Sequence, residues 1–147
     1  MGVASIEDYE NNRIKKHEFT RPDKVDDRVR HIEALNSQTG PVFLTYRAQA
    51  ALDEFVARKM SETPTVDFTG KDGVRHTSWT VAAAADIQFI ADQFKQIPDL
   101  YIADGHHRYE AAREYAERHG GPAATMGLIV EAEAAGPTLH ATHRILR

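Results

Sequence analysis

Apolar residues recur along this chain with two different periods, one typical of helices and one typical of strands. Residues 41–46 form a continuous apolar run, which predicts a buried strand. The segment before them has an apolar stripe at helical spacing, and the polar residues 36–40 are expected to end that helix. The members of the stripe are Val25, Val29, Ile32 and Leu35.

The same two patterns predict the remaining elements. Helices are expected at residues 48–60, 83–96 and 106–118, in addition to the one that begins at residues 20–23. Strands are expected at residues 2–9, 13–19, 65–68, 74–81, 100–103, 125–131 and 139–146, with residues 13–19 returning after the turn at Asn11-Asn12. The inward positions predicted for the helices at 48–60 and 83–96 are Leu52, Phe55, Val56, Ile87, Ile90, Ala91 and Phe94.

Two further signals concern the architecture. Asp72-Gly73, between two short strand patterns, is a strong hairpin signal. Hairpins are thus mixed with strand–helix units along the chain. The expected fold class is α/β (α+β), with a mixed sheet and flanking helices.

Composition narrows the classes of protein that remain. At 147 residues the chain is expected to form a single domain over residues 1–147. Its formal net charge of −4 argues against a general nucleic-acid binder, which would carry a basic surplus. It contains no cysteine, so disulfides and thiolate metal sites are excluded. No apolar run approaches a membrane helix and no signal-peptide pattern is visible, so we expect no membrane partner and a cytoplasmic location.

The segment of residues 101–110 carries the most informative chemistry. A short apolar run ends in Asp104-Gly105, and His106, His107 and Arg108 open a helical pattern. A strand that turns through glycine into a helix directs free backbone N–H groups at one point, which suits phosphate. Arg108 would clamp the phosphate, and Asp104 would hold magnesium or act as a base. The alternative is an ordinary Asp-Gly turn with an exposed histidine pair and a surface arginine.

Two other segments combine histidine with charged residues. In residues 14–20, Glu18 follows His17 and is a candidate general base or metal ligand, although on its own the segment favours a charged edge strand whose Lys and Glu side chains are solvated. Near the end of the chain, His143 and Arg144 lie on alternate faces of a predicted strand and would bind an anion. A solvated strand edge is the alternative there too.

Taken in order, these segments resemble a known family. The matching blocks are Tyr9-Glu10, residues 14–20, Asp27-Arg28, residues 40–44, residues 101–109 and residues 142–144. They are similar to a bacterial and archaeal family of unknown function that itself resembles the SerK-type free serine kinases, which share the ParB/sulfiredoxin-like fold. The Ala-Asp-Gly-His-His-Arg-Tyr block is the most specific of them, and the resemblance covers nearly the whole chain.

This resemblance implies a nucleotide site and assigns residues to it. The kinases transfer a phosphoryl group from ATP or ADP to the hydroxyl of free serine, with magnesium as the expected cofactor. Gly105, His106, His107 and Arg108 would then bind phosphate, together with His143 and Arg144. Glu18, Asp104 and His107 become the catalytic candidates, and Asp104 the metal ligand.

Three hypotheses of function follow from this resemblance. The first is a phosphotransferase that acts on a small hydroxyl compound such as free serine. The second is a nucleotide-sensing or regulatory module without catalysis. The third is a scaffold fragment, because family members are expected to be longer and to carry a Pro-Pro-Tyr-Asp-like motif that is not found here. On that view the chain is a central fragment of a family protein.

Overall fold

The structure is a computed structural model that describes residues 1–120 and 123–133. These residues form seven strands and five helices. In chain order they are β1 (Gly2–Ser5), α1 (Ile6–Glu10), β2 (Ile14–Lys15), α2 (Pro22–Leu35), β3 (Val42–Tyr46), α3 (Ala50–Met60), β4 (Val66–Thr69), β5 (Arg75–Ser78), α4 (Ala84–Gln96), β6 (Leu100–Asp104), α5 (His106–His119) and β7 (Ala124–Glu131).

Chain contacts divide the described residues into two compact units. One unit combines Met1–Arg47 with the described residues of Asp99–Arg147, and the other is Ala48–Pro98. The second unit holds α3, α4 and the β4–β5 hairpin, which confirms the turn predicted from Asp72-Gly73. The single domain expected over residues 1–147 stays a prediction.

A five-stranded mixed sheet organises the first unit, in the order β1-β7-β3-β6-β2. The β7–β3 and β6–β2 pairs are parallel, whereas β1–β7 and β3–β6 are antiparallel. The mixed sheet with helices confirms the expected α+β class. The predicted strand at residues 139–146 lies outside the described residues.

The hydrophobic core of this unit lies between the sheet and the helices α1 and α5. Tyr109 is fully buried there and stacks on Tyr9 with 4.5 Å between ring centroids. The other buried members are Ala4, Ile6, Ile14, Val42, Leu44, Ile102 and Ala112. A second cluster joins α2 to α5 through Val25, Val29 and Ala111, so α2 is fixed beside the helix that starts at the Asp-Gly turn.

Two strand predictions in the N-terminal region were wrong. Residues 2–9 form a strand only as far as Ser5, whose side chain accepts a hydrogen bond from the Glu7 N–H and begins α1. Residues 13–19 were expected to return along that strand, but only Ile14–Lys15 are extended, and they pair in parallel with β6. Residues 16–21 have no regular structure, so His17 and Glu18 do not alternate across a strand.

Three inward positions predicted for the helices of the second unit were also wrong, because Val56, Ile87 and Ala91 are exposed. The side chains of Val56 and Ile87 are about half exposed, at 48% and 52%. Leu52 and Phe55 are buried as expected. The apolar stripes on α3 and α4 are therefore narrower than the sequence spacing indicated. No helix in the described ranges is both long and apolar enough to cross a membrane.

Candidate phosphate-binding site

The Asp-Gly segment forms the strand–turn–helix that the sequence predicts. β6 ends at Asp104, Gly105 has a φ of +98°, and α5 begins at His106. The N–H of Tyr109 donates to the Gly105 carbonyl at 3.0 Å, which closes the first helical turn. The N–H groups of residues 106–108 precede any possible partner within the helix, and no side chain caps them. The turn thus offers free amides at a helix start.

Arg108 lies across this turn and is held at two points. Its Nε donates to the Pro41 carbonyl at 3.1 Å, and its Nη2 donates to Asp104 at 2.6 Å. The side chain runs beside two glycines, since a Cβ on Gly40 would lie 3.3 Å from its Cδ and one on Gly105 would lie 2.8 Å from its Nη2. No acceptor among the described residues contacts Nη1 of Arg108, so part of the guanidinium remains available to a ligand.

Gly105 is required here for two reasons. Its positive φ is costly for any residue with a Cβ, and that Cβ would also press on Arg108. We expect Gly105→Ala to lower the free energy of unfolding by about 1–3 kcal/mol, measured by urea denaturation. The matched control is Gly127→Ala, whose Cβ would make only ordinary contacts at 3.5 Å. Equal stability of the two variants would contradict this account of the turn.

His106 is buried and both of its ring nitrogens have partners. Nδ1 lies 3.2 Å from Oε1 of Glu18, and Nε2 accepts the backbone N–H of His17 at 3.3 Å. An accepting Nε2 carries no proton, so the neutral ring has its proton on Nδ1 and donates it to the Glu18 carboxylate. Burial lowers the pKa of His106, the Glu18 carboxylate partly opposes this, and the His17 ring adds to the lowering.

The lowered pKa of His106 makes stability depend on pH. As the pH falls through about 6.5, the ordinary histidine value, the unfolded chain gains a proton that the folded protein resists, so the folded state loses stability. Above that pH both states are neutral at this position and the contribution is constant. We expect the free energy of unfolding to fall more steeply between pH 7 and 5 in the wild type than in His106→Asn. Parallel profiles would contradict the assignment.

His107 makes an equivalent contact one residue later. Its Nε2 accepts the backbone N–H of Arg21 at 3.1 Å. Arg21 is the N-cap residue of α2 and has no side-chain cap of its own. One ring nitrogen of His107, a residue that the sequence assigned to phosphate binding and catalysis, therefore already accepts a hydrogen bond from the protein.

A cleft of about 370 Å³ opens beside the start of α5. Lys24 and Arg28 line it from α2, and neither forms an ion pair with any described residue. The two carboxylates in its wall already have partners, Glu18 with His106 and Asp104 with Arg108. The full lining is Glu18, Arg21, Lys24, Arg28, Asp104, Gly105, His106, His107 and Arg108. The cleft therefore carries an excess of unpaired positive charge, which suits an anion.

A smaller cavity of about 170 Å³ shares Arg28 and Arg108 with the cleft. Gln38 fixes part of its wall to β7, because its Oε1 accepts from the Thr125 hydroxyl at 2.8 Å and its Nε2 donates to the Ala124 carbonyl at 3.0 Å. Apolar atoms of Ile32 and Ala111 also line it. Because Arg28 and Arg108 line both cavities, a ligand bound to these two arginines could extend into either cavity.

Most residues predicted for the site do come together. Every predicted site residue from Glu18 to Arg108 lines the cleft, so Glu18 lies near the Asp104–Arg108 turn although the two are far apart in the chain. His143 and Arg144 lie outside the described residues. The chemical roles assigned to all these side chains stay predictions.

Sequence reasoning missed the basic face of α2. Arg28 was assigned no binding role from the sequence, yet it lines both cavities. Arg30, two residues further along α2, lines neither cavity and pairs with Asp26 at 2.9 Å. The signal that would have revealed the face is the spacing of Arg21, Lys24 and Arg28, which recur at three- and four-residue intervals.

One group of side chains in the described residues has the spacing of a metal site. Ligand atoms of His17, Glu18 and His106 lie within 4.8 Å of one another. Two imidazoles and a carboxylate suit a transition metal more than magnesium, which prefers oxygen ligands. Both ring nitrogens of His106 already have hydrogen-bond partners, so a metal ion would have to displace one of them. The predicted metal ligand, Asp104, does not belong to this group.

Comparison with known proteins gives a family and nothing more specific. A family model described as "Protein of unknown function (DUF1015)" matches residues 1–147. No curated protein and no solved structure matches the chain.

Proposed function

The chain belongs to the DUF1015 family, and we propose that its basic cleft binds the phosphate groups of ATP or ADP. The observation that carries this proposal is the glycine turn at Asp104-Gly105, whose free helix-start amides open into a cleft lined by unpaired cations. Both features favour a group with several negative oxygens. A nucleotide supplies such groups in a chain that can extend along the cleft.

The magnitudes favour phosphate over a single carboxylate. A charge at an exposed helix start gains roughly 0.3–1 kcal/mol from the helix dipole. A charge-assisted hydrogen bond to arginine adds on the order of 1.5–3 kcal/mol. Arg108, Arg28 and Lys24 all line the cleft, and a ligand with several anionic groups offers an oxygen to each of them. A diphosphate or triphosphate has enough oxygens to use all three.

We propose further that this is the nucleotide-binding domain of a SerK-like phosphotransferase with a ParB/sulfiredoxin-like fold, acting in the cytoplasm, where ATP and ADP are supplied. The acceptor is a small hydroxyl compound, with free serine as the first to test. Phosphoryl transfer depends mainly on positioning and charge neutralisation, which such a cleft can provide. In this step the acceptor oxygen would bond to the terminal phosphorus, the bond from that phosphorus to its bridging oxygen would break, and ADP (from ATP) or AMP (from ADP) would leave. The proton of the acceptor hydroxyl must go to a base.

Glu18 is the proposed base. Its side chain is half exposed and lines the cleft, and the hydrogen bond from His106 fixes its Oε1. That arrangement leaves the second carboxylate oxygen, Oε2, to take the proton of the acceptor hydroxyl. Because the hydrogen bond already holds the carboxylate in place, reorienting it during the reaction would require little free energy.

Magnesium is the cofactor that this proposal implies, and Asp104 fits it. Its carboxylate is 71% exposed at the mouth of the cleft, and oxygen is the donor that magnesium prefers. Asp104 would hold the ion together with phosphate oxygens and water. Magnesium supplies neutralisation of phosphate charge, and Arg108 is then free to exchange its Asp104 partner for a phosphate oxygen.

A nucleotide sensor is the second candidate function. It is favoured by the fact that both carboxylates of the cleft are already paired within the protein. A sensor would bind the nucleotide through the amides and cations alone. Glu18→Gln discriminates the two, because Gln keeps the size of the side chain but cannot take a proton.

The direct test is a transfer assay on the purified chain. ATP or ADP with magnesium is mixed with free amino acids, and phosphoserine formation is followed by mass spectrometry, while a thermal-shift panel reports nucleotide binding. The phosphotransferase proposal expects phosphoserine in the wild type and its loss in Glu18→Gln with binding retained. Binding without transfer in the wild type would favour the sensor, and absence of both would overturn the proposed site.

A further inference from the structure

The segment of residues 16–21, which links β2 to α2, carries Glu18 and has no apolar anchor. No side chain between the buried Ile14 and the buried Val25 is itself buried. Phe19, the one large apolar residue of the segment, is fully exposed. Something other than hydrophobic packing must therefore hold Glu18 at the cleft.

Two backbone N–H groups of this segment, one near each end, donate hydrogen bonds to imidazoles in the first turn of α5. His106 accepts the N–H of His17 at 3.3 Å, and His107 accepts the N–H of Arg21 at 3.1 Å. Neighbouring residues on a helix point about 100° apart, so one helix turn can reach two separated points of the same segment. Glu18 lies between those points.

We propose that His107 is a positioning residue, whose Nε2 fixes the start of α2 and so, together with His106, holds Glu18 over the cleft. The bond from Arg21 anchors the N-cap residue of α2, which is the residue where the segment that carries Glu18 ends. His107 thereby acts on the proposed base without touching a ligand through Nε2. The effect on Glu18 rests on the function proposed above, whereas the hydrogen bond itself does not.

Three variants separate this role from direct phosphate binding. His107→Phe keeps a planar ring and removes the acceptor. His107→Gln keeps an acceptor oxygen at a similar reach. His76→Phe, in the β4–β5 hairpin, is the matched control.

The first measurement is hydrogen exchange of the His17 and Arg21 amides, followed by NMR on the whole chain without ligand. We expect the Arg21 amide to exchange about five- to tenfold faster in His107→Phe, the factor expected from one hydrogen bond of ordinary net strength. His107→Gln should recover most of the protection and His76→Phe should match the wild type. Unchanged exchange at Arg21 in His107→Phe would overturn the proposal, whether or not the cleft binds nucleotide.

The second measurement compares ADP binding and transfer in the same proteins. A positioning role predicts that His107→Phe lowers kcat several-fold more than it raises the nucleotide KM, and that His107→Gln restores kcat. Equal loss of ADP affinity in both variants would make His107 a phosphate ligand instead and overturn the positioning role. If the wild type binds no ADP, the proposed function fails, and the exchange measurement still decides whether His107 holds the segment.

Discussion

Replacing Arg108 with alanine should weaken ATP or ADP binding by about ten- to a hundredfold, which corresponds to loss of one charge-assisted hydrogen-bonding group. The guanidinium lies against the glycine turn, Arg108 lines the cleft, and Nη1 contacts no acceptor among the described residues. The fold should survive, because the side chain is 38% exposed and packs against glycines rather than in the core. Isothermal titration calorimetry measures the affinity, and circular dichroism checks the fold.

Arg108→Lys should restore only part of this affinity, because lysine keeps the charge and loses the planar fork. The matched control is Arg30→Ala, on the solvent side of α2, where the guanidinium pairs with Asp26 and does not line the cleft. That variant should bind nucleotide as the wild type does. Equal affinity in Arg108→Ala and Arg30→Ala would contradict the assignment of Arg108.

Truncating Tyr109 should destabilise the domain more than any other single change considered in this protein. Its ring is fully buried, stacks on Tyr9 and lies one residue beyond Arg108 on α5. Tyr109→Ala should lower the free energy of unfolding by about 3–5 kcal/mol, as for other large aromatic truncations in cores. Urea denaturation followed by tyrosine fluorescence or circular dichroism provides the measurement.

The hydroxyl of Tyr109 makes a separable contribution. It donates to the Ser5 carbonyl at 2.6 Å, which ties α5 to the end of β1. Tyr109→Phe leaves that carbonyl without its partner and should cost about 1–3 kcal/mol. Tyr101→Phe removes a hydroxyl from a residue that is 39% exposed and should change stability by less than about 0.5 kcal/mol. Similar costs at both positions would show that the buried hydrogen bond contributes little.

The sequence predicted those helices and turns whose formation depends on residues that are neighbours in the chain. Helix α2, the Asp72-Gly73 hairpin and the strand–turn–helix at Gly105 all appear where expected, although Leu35, the last member of the predicted stripe on α2, is 59% exposed. Pairing partners could not be predicted in this way, because β2 pairs with β6 across about 85 residues and its two extended residues carry no register signal of their own. Ser5, followed by acidic residues, is a recognisable signal for the start of α1. The alternation of apolar and polar residues over residues 2–9 favoured a strand instead.

In the candidate site, too, the features set by neighbouring residues could be predicted from the sequence, and those set by distant contacts could not. Chemistry at the Asp104–Arg108 turn was predictable because one contiguous motif contains it. The partners of the two histidines were not, because His106 and His107 reach backbone groups 89 and 86 residues away in the chain. A residue type indicates which bonds a side chain can make, but only the tertiary fold determines that the Nε2 of each imidazole accepts a backbone N–H from the segment before or at the start of α2.

The central claim is that the cleft binds phosphate groups of a nucleotide, and calorimetry with a matched ligand series tests it most directly. The wild-type chain is titrated with ATP, ADP and adenosine, with and without magnesium and at two salt concentrations. The account predicts that ATP and ADP bind, that adenosine does not, and that added salt weakens binding because the contacts are electrostatic. Absence of ATP and ADP binding, or equal binding of adenosine, would contradict it.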